Sequence, residues 1–242
     1  MQFVSWNIRH GGGKMAGQIL QQLSDWNPDV VGLQEFRGTQ PSRTIAEGLR
    51  SIGLIHQLQT VEASDGSLNG LLLASRNPFV RRPADGQLHE ARRWLHVSLE
   101  SPHNLDVIVM HVPNRGEGDK YGIHDEVVAS LATLRNVPAI AFGDTNTGVP
   151  GEDEEAAFFN QREALWFTNI RNAGWQDVWR SRNPSAREFT WHHHSGNGFR
   201  LDQLFASSSG AVRVLAVQYD WGQKTNGKTI SDHAAMRFQL GE

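Results

Sequence analysis

The chain has 242 residues, enough for one large domain or two small ones, and its 38% hydrophobic and 20% charged residues fit a globular protein with a sizeable core. A formal net charge of -3 gives no overall basic field of the kind that coats nucleic acid indiscriminately, although a local basic groove remains open to it. The absence of cysteine excludes disulfides and thiolate metal ligation, while 11 histidines and 26 acidic residues point to hard, oxygen-ligated cations as the expected metal class.

Phe3 to Ile8 reads as a short strand, followed by a loop at Gly11-Gly12-Gly13. Met15, Ile19, Leu20 and Leu23 recur at helical spacing, and Asn27-Pro28 ends that helix. Val30, Val31 and Leu33 belong to a second, mostly buried strand that ends at Gln34-Glu35. Ile45, Leu49 and Ile52 share one face of a helix from Ser42 to Ile52, with Ser42 as the expected N-cap. Strands then dominate, at Gly70 to Ser75, Trp94 to Leu99, Leu105 to His111 and Pro138 to Phe142. Val127, Val128, Leu131 and Leu134 mark a helix between the last two. The acidic run Glu152 to Glu155 opens a predicted helix, where it would complement the dipole, and Ala156 to Asn172 continues as helix. Leu201 to Phe205, Val212 to Val217 and Ala234 to Leu240 close the chain as strands.

Several strands follow one another with no helix between them, which disfavours a simple doubly wound sheet. A mixed-sheet α/β sandwich with helices outside two packed sheets is expected, as a single domain over residues 1–242, because no linker rich in Pro, Gly or Ser divides the chain. No apolar run approaches the roughly 20 residues that cross a bilayer, so no membrane insertion is expected. The first residues lack a basic segment followed by an apolar one, which makes a cytoplasmic location the default. Nothing in the sequence points to an obligate protein partner.

Polar residues with catalytic chemistry gather at the ends of these strands. Asp144 and Asn146 follow an apolar strand through Gly143, a pattern suited to activating and orienting a water beside an anion and equally to a turn. Asn7 and Glu35 end two strands that could be neighbours. With Asp232 they could converge on one Mg2+ or Mn2+, although a strand-ending cap and a solvated charge are the plainer readings of each alone. His111 ends another strand. Ser231-Asp232-His233 precedes the last strand, and Asp202 supplies a carboxylate that could fix the His233 ring and favour its charged form. His192-His193-His194 has no spaced partner set for zinc, and Gly11-Gly12-Gly13 lacks the rest of a phosphate-binding fingerprint.

Seven segments together resemble the endonuclease/exonuclease/phosphatase superfamily, the exonuclease III and DNase I fold. They are Ser5-Trp6-Asn7, Leu33-Gln34-Glu35, Gly70 to Ser75, His111-Val112-Pro113-Asn114, Gly143-Asp144-Thr145-Asn146, Arg200-Leu201-Asp202 and Ser231-Asp232-His233. The resemblance spans Phe3 to Phe238. It implies a four-layered α/β sandwich with two packed mixed β-sheets flanked by helices and the site at the top of the sheets. It also implies that Asn7, Glu35 and Asp232 are metal ligands, with Mg2+ or Mn2+ as cofactor. Asp144 would position or deprotonate the attacking water, Asn146 would orient it, and His233 paired to Asp202 would contact the scissile phosphate. His111 would stabilise developing charge or assist the leaving group.

Within the superfamily, Phe189-Thr190-Trp191 and Gly196 to Asp202 are similar to the exonuclease III-type apurinic endonucleases. There Trp191, Phe199 and Leu201 would wall a pocket for an abasic sugar, and Arg37 and Asn114 match substrate-contacting positions. An ordinary core place for Trp191 and Phe199 is the plain alternative. Two positions depart from that branch: His111 stands for its usual Tyr, and Arg9 for its Asn or Asp. The expected activity is divalent-metal-dependent phosphodiester hydrolysis by in-line water attack, with DNA as substrate and abasic sites or 3′ ends as targets. The alternative is a phosphatase or phosphodiesterase for a small molecule or lipid headgroup. A basic strip with Arg92, Arg93 and Arg115 beside the site would favour the polymer.

Overall fold

The computed structural model describes residues 1–83, 89–100, 103–225 and 227–241. Its strands, in chain order, are β1 (Gln2–Asn7), β2 (Val30–Phe36), β3 (His56–Gln59), β4 (Gly70–Ser75), β5 (Phe79–Arg82), β6 (Trp94–Leu99), β7 (Leu105–His111), β8 (Ala139–Asp144), β9 (Trp175–Asp177), β10 (Trp191–His192), β11 (Gly198–Phe199), β12 (Asp202–Ser207), β13 (Val214–Asp220), β14 (Lys224–Thr225), β15 (Lys228–Thr229) and β16 (Ala235–Leu240). The helices are α1 (Ala16–Trp26), α2 (Gln40–Ser51), α3 (Lys120–Thr133), α4 (Gln161–Asn172), α5 (Val178–Arg182) and α6 (Ser208–Ala211). Two mixed six-stranded sheets form the centre, in the orders β13-β16-β1-β2-β4-β3 and β5-β6-β7-β8-β12-β9.

Alternation along the strands builds the layers. Side chains on successive strand residues point to opposite faces. Phe3, Val30, Leu71, Leu73, Val107, Val109, Ile140, Phe142, Leu204 and Phe238 meet between the sheets. Val4, Trp6, Val31, Leu33 and Leu72 face Ile19 and Leu23 of α1 and Ile45 and Leu49 of α2. Ile108, Met110, Ala141 and Phe205 face Ile123, Val127 and Leu131 of α3 and Trp166 and Ile170 of α4. Strands buried on both faces read as continuous apolar runs, which is why β2, β4, β7 and β8 were visible in the sequence. A Cβ at Gly32 would lie 2.5 Å from the Phe142 ring, so this glycine lets the two sheets close on each other.

The expected four-layered α/β sandwich is what forms, and the differences are local. The helix expected from Ser42 begins at Gln40, with Thr39 at the cap position and Pro41 in its first turn, where proline loses no helical hydrogen bond. The Ser42 hydroxyl instead accepts from Arg37 N and donates to Gly11 O, tying the glycine loop to α2. No helix opens at Glu152 to Glu155, and residues 156–160 are not helical; α4 starts only after the Asn160 cap, whose capping box includes Glu163. The acidic residues have other partners. Asp153 pairs with the buried Arg200 at 2.7 Å, and Glu154 accepts backbone N–H bonds from Gly151, Phe158 and Phe159. Residues 193–197 form the turn of the β10-β11 hairpin. No helix among the described residues is long and apolar enough to cross a membrane.

Candidate active site

Strand register assembles the centre of the site. In the parallel pair β7-β8, His111 lies opposite Asp144, and in the antiparallel pair β8-β12, Asp144 lies opposite Asp202. Directly opposed residues carry their side chains on the same face, so an imidazole and two carboxylates come side by side. The backbone at Gly143 takes φ 147°, and a Cβ there would meet Met110 O at 1.9 Å. Only glycine lets β8 lie this close to β7 just before Asp144.

His233 completes the group from outside the sheets. The chain bends at residues 231–233 before β16 begins, so Asp232 and His233 both face one cavity. The bend is pinned to β1 by Ser231 Oγ donating to Asn7 O at 2.7 Å and by Trp6 Nε1 donating to His233 O at 3.0 Å. His233 Nδ1 lies 2.9 Å from Asp202 Oδ2, and Nε2 lies 3.7 Å from Asp144 Oδ2. Burial opposes a charge on this ring, but the Asp202 and Asp144 carboxylates overcome it and lift the imidazole to about 10. His233 is therefore an imidazolium at neutral pH.

Burial pushes Asp144 up to about 7, against the pull of the His233 charge. Asn146 N donates to Asp144 Oδ1 at 2.8 Å, and Asn7 Nδ2 donates to Asp144 Oδ2 at 2.9 Å. A carboxylate poised near neutrality is suited to accept a proton. Asn146 sits in the left-handed region at φ 47°, a conformation that asparagine tolerates at little cost. Its Nδ2 donates to Val112 O at 2.9 Å, and its carbonyl accepts from Lys120 Nζ at 2.6 Å, which leaves Oδ1 as its available acceptor. His111 differs from His233. Burial, then the charges of Arg93, His233 and Arg92, hold its pKa well below the usual value, and its Nδ1 is buried without a partner. It can contribute a hydrogen bond but not a positive charge.

Glu35 and Asp232 also line this cavity. Glu35 is the extra residue of a β-bulge where β2 shifts register against β4, and it takes φ 58°. Such a non-glycine residue is strained, and strain of this kind persists where surrounding contacts fix it. Glu35 Oε2 accepts from His10 N at 2.6 Å and Oε1 from Asn7 Nδ2 at 3.2 Å. Asp232 Oδ2 lies 3.6 Å from Arg9 Nε. The Asn7 amide thus points its nitrogen at Glu35 and Asp144, while its oxygen accepts from Arg9 N at 2.9 Å. In this arrangement it bridges the two carboxylates. Asp144, Asp202 and His233 are close enough to share one ion, and His233 stands between the two carboxylates, 2.9 Å from Asp202 and 3.7 Å from Asp144.

The cavity has a volume of about 540 Å³ and is lined by Glu35, Asp144, Asp232 and His233 together with Asn114, Phe158 and Trp191. Phe199 and Leu201 also line it, but both are packed against Phe159 in a small apolar cluster and are only 6% exposed. Trp191 is half-buried. Arg37, which is not among the lining residues, donates to Asn69 Oδ1 at 2.6 Å and lies beside His10, itself next to Glu35. Arg92 and Arg93 pair with Glu90 and form no free strip, whereas Arg115 is on the cavity wall.

Two residues of this wall, Lys120 and Phe158, and the buried Glu163 behind Lys120 carried no signal that singled them out. Lys120, Glu163 and Phe158 are brought in by tertiary packing. Lys120 and Glu163 form a buried ion pair across 43 positions, and Arg115 shares the same carboxylate. The spacing Asn160-x-x-Glu163 marks a helix start, but nothing local indicates that its glutamate also holds Lys120.

The family model described as the Endonuclease/Exonuclease/phosphatase family matches residues 4–233. The chain belongs to the endonuclease/exonuclease/phosphatase family. The match takes in every side chain of the buried triad and both cavity carboxylates. A curated relative, the exodeoxyribonuclease III of Haemophilus influenzae, is 24% identical over 97% of each chain. Among solved structures, an AP endonuclease from Archaeoglobus fulgidus superposes with a TM-score of 0.80 at 19% identity, covering all of both chains. A 3′-5′ exonuclease from Neisseria meningitidis does so with a TM-score of 0.78 at 21% identity, again over both whole chains. At that identity the superpositions establish the family's sandwich fold in this chain.

Proposed function

We propose that this chain is a divalent-metal-dependent DNA hydrolase, acting as one unit over its full length, that cuts a phosphodiester by in-line attack of water. The observation that carries the reading is the juxtaposition of Asp144, His233 and Asp202 beside a cavity that Glu35 and Asp232 also line. DNA is favoured as substrate because the relatives are named as an exodeoxyribonuclease and an AP endonuclease, and a Neisseria 3′ phosphatase of the same fold (TM-score 0.78, 20% identity) was solved with a product DNA hairpin. The abasic-sugar pocket has less support, since Phe199 and Leu201 are closed in packing.

The donor set fits a hard cation. Glu35 and Asp232 are oxygen donors on one wall, and the chain already places the Arg9 guanidinium against Asp232, a sign of local negative charge seeking a cation. Mg2+ or Mn2+ held there would supply Lewis-acid stabilisation of the anionic transition state. Asn7 would orient Glu35 and Asp144. Asp144 takes the proton of the attacking water while Asn146 Oδ1 orients that water. A new bond forms between the water oxygen and phosphorus as the bond to the leaving oxygen breaks. The His233 imidazolium faces the charge that accumulates on the phosphate oxygens, and Asp202 keeps it charged and in place. His111, as a neutral donor, hydrogen-bonds the phosphate or leaving oxygen.

Cleavage of end-labelled duplexes bearing an abasic site, a 3′ recess or an intact strand tests the reading, alongside a lipid-headgroup phosphodiester and small phosphomonoesters. DNA cleavage that needs Mg2+ or Mn2+ and fails in Asp144→Ala is expected. Turnover confined to the small phosphoesters would overturn the choice of DNA.

A further inference from the structure

Phe158 is 57% exposed in a cavity whose Phe159 and Phe199 are packed away and whose Trp191 is half-buried. An exposed phenyl group is ordinarily unremarked, but this one is held with unusual care. Its N–H donates to Glu154 Oε2 at 2.7 Å, and so does that of Phe159. Its carbonyl accepts from Arg115 Nη2 at 2.9 Å. The Arg115 guanidinium lies 4.7 Å from the ring centroid and is itself anchored on Glu163. Glu154 and Glu163 are both buried, so two desolvated carboxylates fix one solvent-facing ring. The ring meets Phe199 edge-on at 5.4 Å, and Trp191 lies 5.9 Å from Phe199 and 6.4 Å from His233. An aromatic path therefore runs from Phe158 to the imidazolium.

We propose that Phe158 and Arg115 form a stacking shelf for an unpaired nucleobase of the DNA strand whose phosphate is cut. Nucleobases stack on exposed aromatic rings and on guanidinium planes whatever their sequence. The cavity of about 540 Å³ falls within the range of sites that enclose a ligand of nucleotide size. An abasic sugar has no face to place on this shelf. The shelf therefore selects a base-bearing nucleotide already released from the duplex, as at a frayed or mismatched strand end. This rests on the DNA reading given above.

Fluorescence quenching and anisotropy with duplexes ending in an unpaired 3′ 2-aminopurine or an abasic residue test it, in an Asp144→Asn background with Mg2+ present. The parent is expected to quench the 2-aminopurine and to bind the base-bearing end about tenfold more tightly than the abasic end. Phe158→Ala is expected to lose both the quench and the preference while binding the abasic end unchanged, and Phe158→Trp to keep them. A parent that binds both ends equally, or a Phe158→Ala protein that keeps the preference, overturns the shelf while leaving the DNA reading intact. A parent that binds neither duplex overturns both.

Discussion

Two parts of the site are built by different means. Asp144, Asp202 and His111 are aligned by the registers of β7, β8 and β12, buried, and framed by ordinary strand geometry. Glu35 and Asp232 stand on irregular backbone, one on a bulge at φ 58° and one in a bend, with Arg9 to Gly13 beside them all at positive φ. Arg9 in that run is 63% exposed at its side chain. The rigid side suits proton transfer, where the geometry of the acceptor decides the rate. The strained side suits an ion, whose charge can hold a backbone that is otherwise costly.

The largest effect should come from the rigid side. Asp144→Ala is expected to lower kcat by about 10²–10⁴-fold with little change in melting temperature, measured by single-turnover cleavage and thermal unfolding. The pH profile follows from the same groups. Asp144 must lose its proton to act as a base, so the rate should rise as pH passes about 7. His233 must keep its proton, so the rate should fall as pH approaches about 10. Asp202→Asn removes the main charge holding that proton, so the alkaline limb should move to lower pH and kcat should drop on the order of 10²-fold. An unmoved alkaline limb would assign it to another group.

Lys120 and Glu163 test how the rigid side is supported. Breaking this buried pair with Lys120→Met should cost about 3–5 kcal/mol of stability, because Glu163 is left with fewer partners. The double variant Lys120→Met/Glu163→Met should recover much of that loss in a denaturant titration, yet keep a reduced kcat, since Asn146 O has lost its donor. Full recovery of activity would make the pair purely structural. The smallest effect belongs to Arg37, outside the cavity lining. Arg37→Ala should weaken DNA binding a few-fold and reduce the salt dependence by about one charge, read from binding isotherms at several salt concentrations.

The same division governs what was legible from the residues alone. Gly143-Asp144-Thr145-Asn146 and Arg200-Leu201-Asp202 sit at the ends of apolar runs, so their position followed from the period of the strands. The bend at residues 231–233 was required by two adjacent residues serving one site. Glu35 could be placed at a strand end, but its bulge depends on pairing with β4 and leaves no local mark. The acidic run Glu152 to Glu155 looked like a helix start because dipole preference is local, whereas Asp153 pairs with Arg200, 47 positions away, and Glu154 caps the backbone of a non-helical turn at Phe158 and Phe159. Trp191, Phe199 and Leu201 share the cavity wall, but only packing against Phe159 reveals which of them is closed off. Lys120 and Phe158 were invisible for the same reason.

The protonation of the buried imidazole is the point on which the chemistry turns. Nitrogen-15 NMR of the His233 ring across a pH titration reads it directly. Both ring nitrogens should remain protonated to near pH 10, and the transition should shift down in Asp202→Asn. A wild-type ring that titrates near the ordinary 6.5 would contradict the imidazolium and with it the assigned role of the Asp202 pair.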